Sequence, residues 1–403
     1  VGLSTAYYAR AKGHDVDVLD SGDGSSGCSF GNSGLVVPSH FVPLASPGTV
    51  GLGLRYMWSP ESPFYIKPRL DRDLLSWLLR FWWVASAKHV RRSEPLLRDL
   101  HLRSRECYVE WANHFADFGL ARKGLLMLCA TEEGLGEEGA SAAEARNLGI
   151  PAEVLTPARV RQLEPDLPLA IKGGVFYPLD CHLDPPAFMA VLRAEVERMG
   201  VRLLWNTEVS GFERNRGRII GVRTPGELHT ADAFVLAAGV WSQALARGLG
   251  LSLPLQPGKG YSLTLPKPPK LPVHPSILVE GRVAVTPIGS TLRFGGTMEL
   301  GAFDPTINPS RIRGIIRSVT TYFPGMSPRD FDGVPPWCGL RPCSPDGLPY
   351  IGPFKRHPNL FAATGHAMMG VSLGPITGRL VAEMLSREAP SVPVAALSPD
   401  RFA

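Results

Sequence analysis

Gly2 and Asp20 bracket a stretch whose residue types could hold a nucleotide. Between them, Val1 to Lys12 (VGLSTAYYARAK) reads as a helix with small residues at its start. Gly13-His14 breaks it, and Val16-Asp17-Val18-Leu19 reads as a strand ending at Asp20. This is the second half of a βαβ dinucleotide unit. There the last glycine of G-x-G-x-x-G lets the helix pack on the sheet, and an acid after the next strand receives the ribose hydroxyls. The first strand and first two glycines of such a unit do not appear before Gly2. The expectation is therefore a truncated unit without the turn that seats a pyrophosphate at the helix N-terminus. Alone this half-motif is weak, because small residues at a helix start and an acid after a strand recur throughout α/β proteins.

A second ligand-facing candidate follows at once. Residues 21–34 (SGDGSSGCSFGNSG) form a Gly/Ser-rich loop, with Ser29, Asn32, Ser33 and Gly34 near its end. Small side chains let backbone approach a flat ligand, and Gly, Asn and Ser accept tight turns. Farther on, Ala231 to Ser242 (ADAFVLAAGVWS) reads as a buried strand running into Ala238-Gly239 and then a helix. Open α/β sheets bind ligands at such carboxyl ends of strands.

The elements that must position these residues alternate in kind. Leu74 to Val84 (LLSWLLRFWWV) is an apolar, Trp-rich helix followed by Lys88, His89, Arg91 and Arg92. It suits a core helix, and less often a helix lying on a membrane surface. Residues 96–118 continue as helix, and 132–145 as a solvated helix or loop. Strands are expected at 173–177, 201–204, 208–213 and 219–224, with a helix at 187–199. Residues 255–304 read as antiparallel sheet, 311–323 as a helix, 360–364 as a strand and 375–386 as a helix.

Composition narrows the class. At 403 residues the chain exceeds the roughly 250–300 at which single cores stop growing, so two domains are expected. It is 44% hydrophobic and 20% charged, with a net charge of +5 spread along the chain, which argues against disorder and against a clustered nucleic-acid face. Six scattered cysteines include no C-x-x-C pair, so no metal site is expected and reduced thiols of a cytosolic chain are. No apolar run is long enough to span a bilayer.

Taken together, Val1–Asp20, the Gly31-Asn32-Ser33-Gly34 loop, Ala231–Ser242, Gly339–Gly352 (GLRPCSPDGLPYIG) and Gly365-His366…Gly370 resemble the FAD-dependent D-amino-acid oxidase superfamily, and within it the bacterial D-amino-acid dehydrogenases. The resemblance spans nearly the whole chain. It implies a two-domain α/β plus α+β fold. A Rossmann-like FAD-binding domain would be built from residues 1–45, 150–250 and 335–403, and an antiparallel-sheet substrate domain from 46–149 and 251–334. It also implies roles at named positions. Gly2 and Asp20 would serve the pyrophosphate helix and the adenosine ribose, and Val209 the adenine. Ala238 and Gly239 would lie by the diphosphate. Gly365, His366, Met369 and Gly370 would lie against the flavin's pyrimidine end, where backbone N–H groups stabilise negative charge on the reduced ring. Arg341, in Gly-Leu-Arg-Pro, would bind the substrate carboxylate, for which a planar guanidinium is suited. Tyr261 could bond the same carboxylate or be a half-buried sheet tyrosine. His40 could reach the site or be a lone core histidine.

The implied reaction is oxidation of a D-amino acid at Cα by hydride transfer to the flavin, then hydrolysis of the imino acid to a 2-oxo acid and ammonia. Electrons would pass to a quinone or another respiratory acceptor, with peripheral contact on the inner face of the plasma membrane. Ala367 and Met368 stand where glycine and sarcosine oxidases often carry an arginine, and the methionines suggest a larger, apolar substrate side chain. Four alternatives stay open: a glycine/sarcosine-type oxidase using oxygen, a D-proline or D-hydroxyproline dehydrogenase, an NAD-dependent dehydrogenase, and an inactive fragment.

Overall fold

A computed structural model describes residues 1–48, 51, 61–67, 71–301 and 303–403. The chain starts with helix α1 (Gly2–Ala11) and strand β1 (Asp17–Leu19). There follow β2 (Leu35–Val36), β3 (Phe64–Ile66), α2 (Arg72–Val84), α3 (Ala87–His114), β4 (Leu125–Cys129), α4 (Glu132–Asn147), β5 (Glu153–Leu155) and α5 (Pro157–Leu163). Next come β6 (Gly173–Tyr177), β7 (Cys181–His182), α6 (Pro185–Arg198), β8 (Arg202–Leu204), β9 (Gly211–Asn215), β10 (Arg218–Thr224), β11 (Glu227–Thr230), β12 (Phe234–Leu236) and α7 (Ser242–Gly248). The remainder holds β13 (Gln256–Leu265), β14 (Ser276–Leu278), β15 (Val283–Ile288), β16 (Thr291–Leu300), α8 (Pro309–Tyr322), β17 (Trp337–Cys343), β18 (Tyr350–Phe354), β19 (His357–Thr364) and α9 (Gly374–Leu385).

Local chemistry explains the helix starts. Asp71, Ser86, Thr131, Thr156, Asp184 and Asn308 each accept a backbone N–H in the first turn of α2, α3, α4, α5, α6 and α8, satisfying donors that a helix N-terminus leaves unpaired. The expected strand at 208–213 instead forms at Gly211–Asn215, where it pairs with β10.

The architecture is a two-part α/β fold. One part contains parallel pairs: β1 with β8, and β12 with β19, which also pairs with β18. Helices α1, α6 and α9 pack on these strands. α1 and α9 approach so closely that a Cβ on Gly378 would overlap the backbone of Ser4 and Thr5. Glycine at that contact removes the side chain that would otherwise hold the helices apart. The other part is a nine-stranded, mostly antiparallel sheet in the order β17-β13-β16-β15-β14-β4-β6-β5, with β3 beside β16. One of its faces packs on α8, burying Leu263, Val285, Phe294, Ile315 and Val319.

The expected boundaries at 150 and 335 fall inside this sheet. β6 pairs with β4 and carries β5 on its other edge, and β17 pairs with β13. The sheet's hydrogen-bond ladder, which sequence segments do not reveal, draws those strands away from the nucleotide-binding half.

Candidate active site

The site residues collect where the two parts meet. Gly2 opens α1 beside the end of β12, its nearest neighbour there being the Ala237 side chain. Asp20 follows β1; its N–H bonds the Leu204 carbonyl and its carboxylate accepts the Gly22 N–H at 2.8 Å, leaving the group exposed. Val209 packs in one cluster with Leu19 and Ala238. Thr364 at the end of β19 donates its hydroxyl to the Gly239 carbonyl at 2.9 Å. Gly2, Asp20, Val209, Ala238, Gly239 and the turn after β19 are thus neighbours, as a dinucleotide laid across strand ends requires.

The turn after β19 is tightly formed. Gly365 and Ala367 have φ of 81° and 46°. Met369 N–H bonds back to the His366 carbonyl, and Gly370 follows directly. The His366 imidazole is turned inward, with Nε2 2.8 Å from the Thr377 hydroxyl, and burial lowers its pKa to about 3. It is therefore a neutral anchor for the turn. His366 also bridges to Cys343, which ties the turn to β17.

β17 carries the cationic centre. Period-two alternation places Trp337, Gly339, Arg341 and Cys343 on one face and Cys338, Leu340 and Pro342 on the other. On the first face, a Cβ at Gly260 of neighbouring β13 would collide with the Arg341 guanidinium, and a Cβ at Gly31 or Gly339 with the Trp337 ring. Glycine is the residue that lets this face lie flat against the 28–34 loop. Cys28 of that loop reaches the Leu340 carbonyl at 3.3 Å.

Arg341 donates to the Thr297 carbonyl at 2.7 Å. Thr297 sits at a bulge where the β13–β16 register slips, with φ of 57°. A β-branched residue in the left-handed region is strained, and bulges re-aim backbone groups beside sites. Burial depresses the Arg341 pKa, and the opposing influences come from Cys343 and Cys28, with no carboxylate among them. A half-buried guanidinium with no acid partner among the described residues is costly, so the position favours an anionic ligand.

Two expected partners stand elsewhere. Tyr261 lies opposite Cys338, hence on the other face of the sheet, in the core with Leu263 and Ile315. Its hydroxyl donates to Glu299 at 3.1 Å, beside the Lys259–Asp304 ion pair. Tyr261 does not share a ligand with Arg341, because sheet alternation sends their side chains apart. His40 pairs through Nδ1 with the Ser39 hydroxyl at 3.0 Å, and that hydroxyl donates to buried Asp180 at 2.5 Å. Burial lowers His40 to about 4 and raises Asp180 to about 7. His40 belongs to this buried polar group and not to the Arg341 face.

The loop at 28–34 is held by a residue that sequence reasoning missed. Arg293 on β16 donates to the carbonyls of Phe30 and Asn32 at 2.9 and 2.7 Å and to the Thr264 hydroxyl at 3.0 Å. The Asn32 side-chain oxygen accepts the Gly34 N–H, and the Asn32 backbone N–H donates to the Ser29 carbonyl. Ser33 abuts Gly295 so closely that a Cβ there would strike its hydroxyl. The alternation of Arg293 with buried Leu292 and Phe294 was the available signal. These glycine-lined close approaches, the exposed acid after β1 and the turn after β19 fit an extended dinucleotide with a flat ring, so the residues present suit FAD.

Comparison with known proteins agrees. Residues 1–384 match the DAO family model, described as FAD dependent oxidoreductase. The chain is 33% identical to a D-amino acid dehydrogenase of Bradyrhizobium diazoefficiens over 411 aligned residues, covering all of this chain and 97% of that protein. It is 34% identical to the D-amino acid dehydrogenase of Methylobacterium nodulans, with the same coverage. Among solved structures, a glycine oxidase from Geobacillus kaustophilus superposes with a TM-score of 0.79 at 25% identity, covering 100% of this chain and 96% of that one. The strand-end nucleotide site, the glycine-flattened sheet face and these full-length likenesses together place the chain in the DAO family of FAD-dependent oxidoreductases.

Proposed function

We propose that this oxidoreductase is a D-amino-acid dehydrogenase that converts D-amino acids to 2-oxo acids and ammonia and delivers the electrons to a quinone or another respiratory acceptor. One observation carries the reading: Arg341 offers a half-buried guanidinium with no acid partner among the described residues, on a face kept flat by glycine. The naming of the full-length relatives supports the choice of D-amino acids.

The chain's own groups account for binding and orientation. Arg341 pairs with the substrate carboxylate, while its bond to Thr297 fixes the plane of the guanidinium. That anchoring orients the substrate Cα–H toward the flat face bordered by the 28–34 loop and Trp337. Bound FAD supplies a two-electron acceptor at that face. A neutral amine substrate needs no protein base, and His366, neutral and bonded to Thr377, is not required as one. Backbone N–H groups of the Gly365–Gly370 turn would stabilise negative charge beside them. The exposed Met368 at the mouth of this turn suits apolar side chains. The enzyme would work at the cytoplasmic face of the membrane, where such acceptors reside.

The test is the visible spectrum of the purified chain before and after D-amino acids are added without oxygen. Flavin bands that bleach with D-amino acids support the reading. Bands that bleach only with glycine or sarcosine would replace it with the oxidase alternative, and bands that bleach with neither would remove both readings.

A further inference from the structure

Helix α2 has two apolar faces, and the fold uses one. Leu74, Trp77 and Phe81 are buried with Met298, Leu300 and Cys343. The Trp77 indole N–H donates to the Cys343 carbonyl at 2.9 Å, locking the helix onto the strand that carries Arg341. On the other face Leu75, Leu79, Trp82 and Trp83 are 50%, 67%, 67% and 85% exposed. At about 100° per residue these four share an arc of roughly a quarter to a third of the helix, with exposed Arg72 among them. Contiguous exposed patches of this kind mark interaction sites.

The charge around the patch says what it meets. Exposed Lys88, Arg91 and Arg92 follow in the first turns of α3. The acid on α2 itself, Asp73, lies toward the flank and is taken by Arg247. The whole chain is also cationic, at +5. Tryptophans on one face with arginines and lysines beside them match the headgroup layer of an anionic bilayer. A second copy of the chain would instead set two such basic clusters against each other, which is repulsive. None of the helices among the described residues is long and apolar enough to cross a membrane, so contact would be in the plane of the surface.

We infer that the Leu75–Leu79–Trp82–Trp83 face of α2 docks this protein on an anionic lipid surface. The contact seats the Arg341 strand, through Trp77, directly behind the docking helix. Its purpose in delivering electrons rests on the dehydrogenase reading above; the lipid contact itself does not.

The experiment is co-sedimentation of the flavin-loaded full chain with vesicles of phosphatidylcholine alone or mixed with phosphatidylglycerol. The wild type should sediment with the mixed vesicles and weakly with the neutral ones. The pair Trp82→Gln and Trp83→Gln should lower partitioning at least about tenfold, and Arg91→Gln with Arg92→Gln should abolish the preference for phosphatidylglycerol. Flavin absorbance and thermal midpoint confirm that each variant is folded. Dye-linked D-amino-acid oxidation in solution should be unchanged by the tryptophan pair, so a failure of docking and a failure of the functional reading separate. A wild type left in the supernatant, or tryptophan variants that sediment like it, would overturn the inference. So would a wild-type dimer that the tryptophan variants dissociate, since a second copy would then be the occupant.

Discussion

Replacing Arg341 with Met tests the centre of the proposed mechanism. Methionine fills similar space on the glycine-flattened face and removes the charge, so the fold and the flavin site should survive. One of the five guanidinium donors is spent on the Thr297 carbonyl, and a carboxylate would take two of the others as a fork. Hydrogen bonds to charged groups contribute about 1.5–3 kcal/mol each, so losing two costs about 3–6 kcal/mol. At about 1.4 kcal/mol per tenfold, kcat/KM should fall roughly 10²–10⁴-fold. Arg341→Lys keeps the charge but loses the fork, and should fall by roughly ten- to a hundredfold. The assay is initial-rate reduction of an artificial dye over a series of D-amino acid concentrations, normalised to bound flavin. Amines lacking the carboxylate should react equally poorly with all three proteins. A kcat/KM for Arg341→Met within about threefold of wild type, at full flavin content, would refute the role.

Two further perturbations probe the surroundings. Gly260→Ala places a methyl group where the Arg341 guanidinium lies; displacing that group by about 1 Å should cost on the order of 10²-fold in kcat/KM, and an unchanged rate would show that the guanidinium is free to move. Burial lowers His101 to about 3 and His182 to about 4, as it does His40 and His366. Such groups take up protons in the unfolded chain first, so their stabilising effect is full above about pH 6.5 and is lost as pH falls toward about 4. Asp180, raised to about 7 by burial, acts oppositely: its contribution is greatest below about pH 4 and disappears as pH rises through about 7. Thermal midpoints of Asp180→Asn should therefore gain on wild type as pH rises across that window, and a constant difference would contradict a buried carboxyl there.

How much was legible depended on whether a feature is local. The helix from Gly2, the acid at Asp20, the small-residue end of β12 and the Trp-rich α2 rest on near neighbours in sequence, and their spacing sufficed. The two faces of α2 needed its partners: the pattern gave an apolar helix, while only packing separates buried Trp77 from exposed Trp83. Tyr261 and Arg341 differ for a similar reason. Their side chains part because of strand register, and a slip of one residue would have brought them together. The Thr297 bulge and the grip of Arg293 on the loop at Phe30 and Asn32 are properties of strands far apart in sequence, which no window of residues contains.

The tight seam between α1 and α9 joins nearly the first residues of the chain to nearly the last. A ribosome making this protein releases α1 long before α9 exists, and β1 long before its neighbour β8. Until then Ser4 and Thr5 lack the Gly378 surface against which their backbone lies. The sheet is equally interleaved, drawing β3, β4 and β17 from distant stretches. Contacts this remote must close large loops before they return any stabilisation, which slows folding. The nucleotide cleft therefore assembles as a late, whole-chain event. Deleting the α9 segment would leave α1 without its partner and the cleft unable to form, however intact every residue that touches the cofactor.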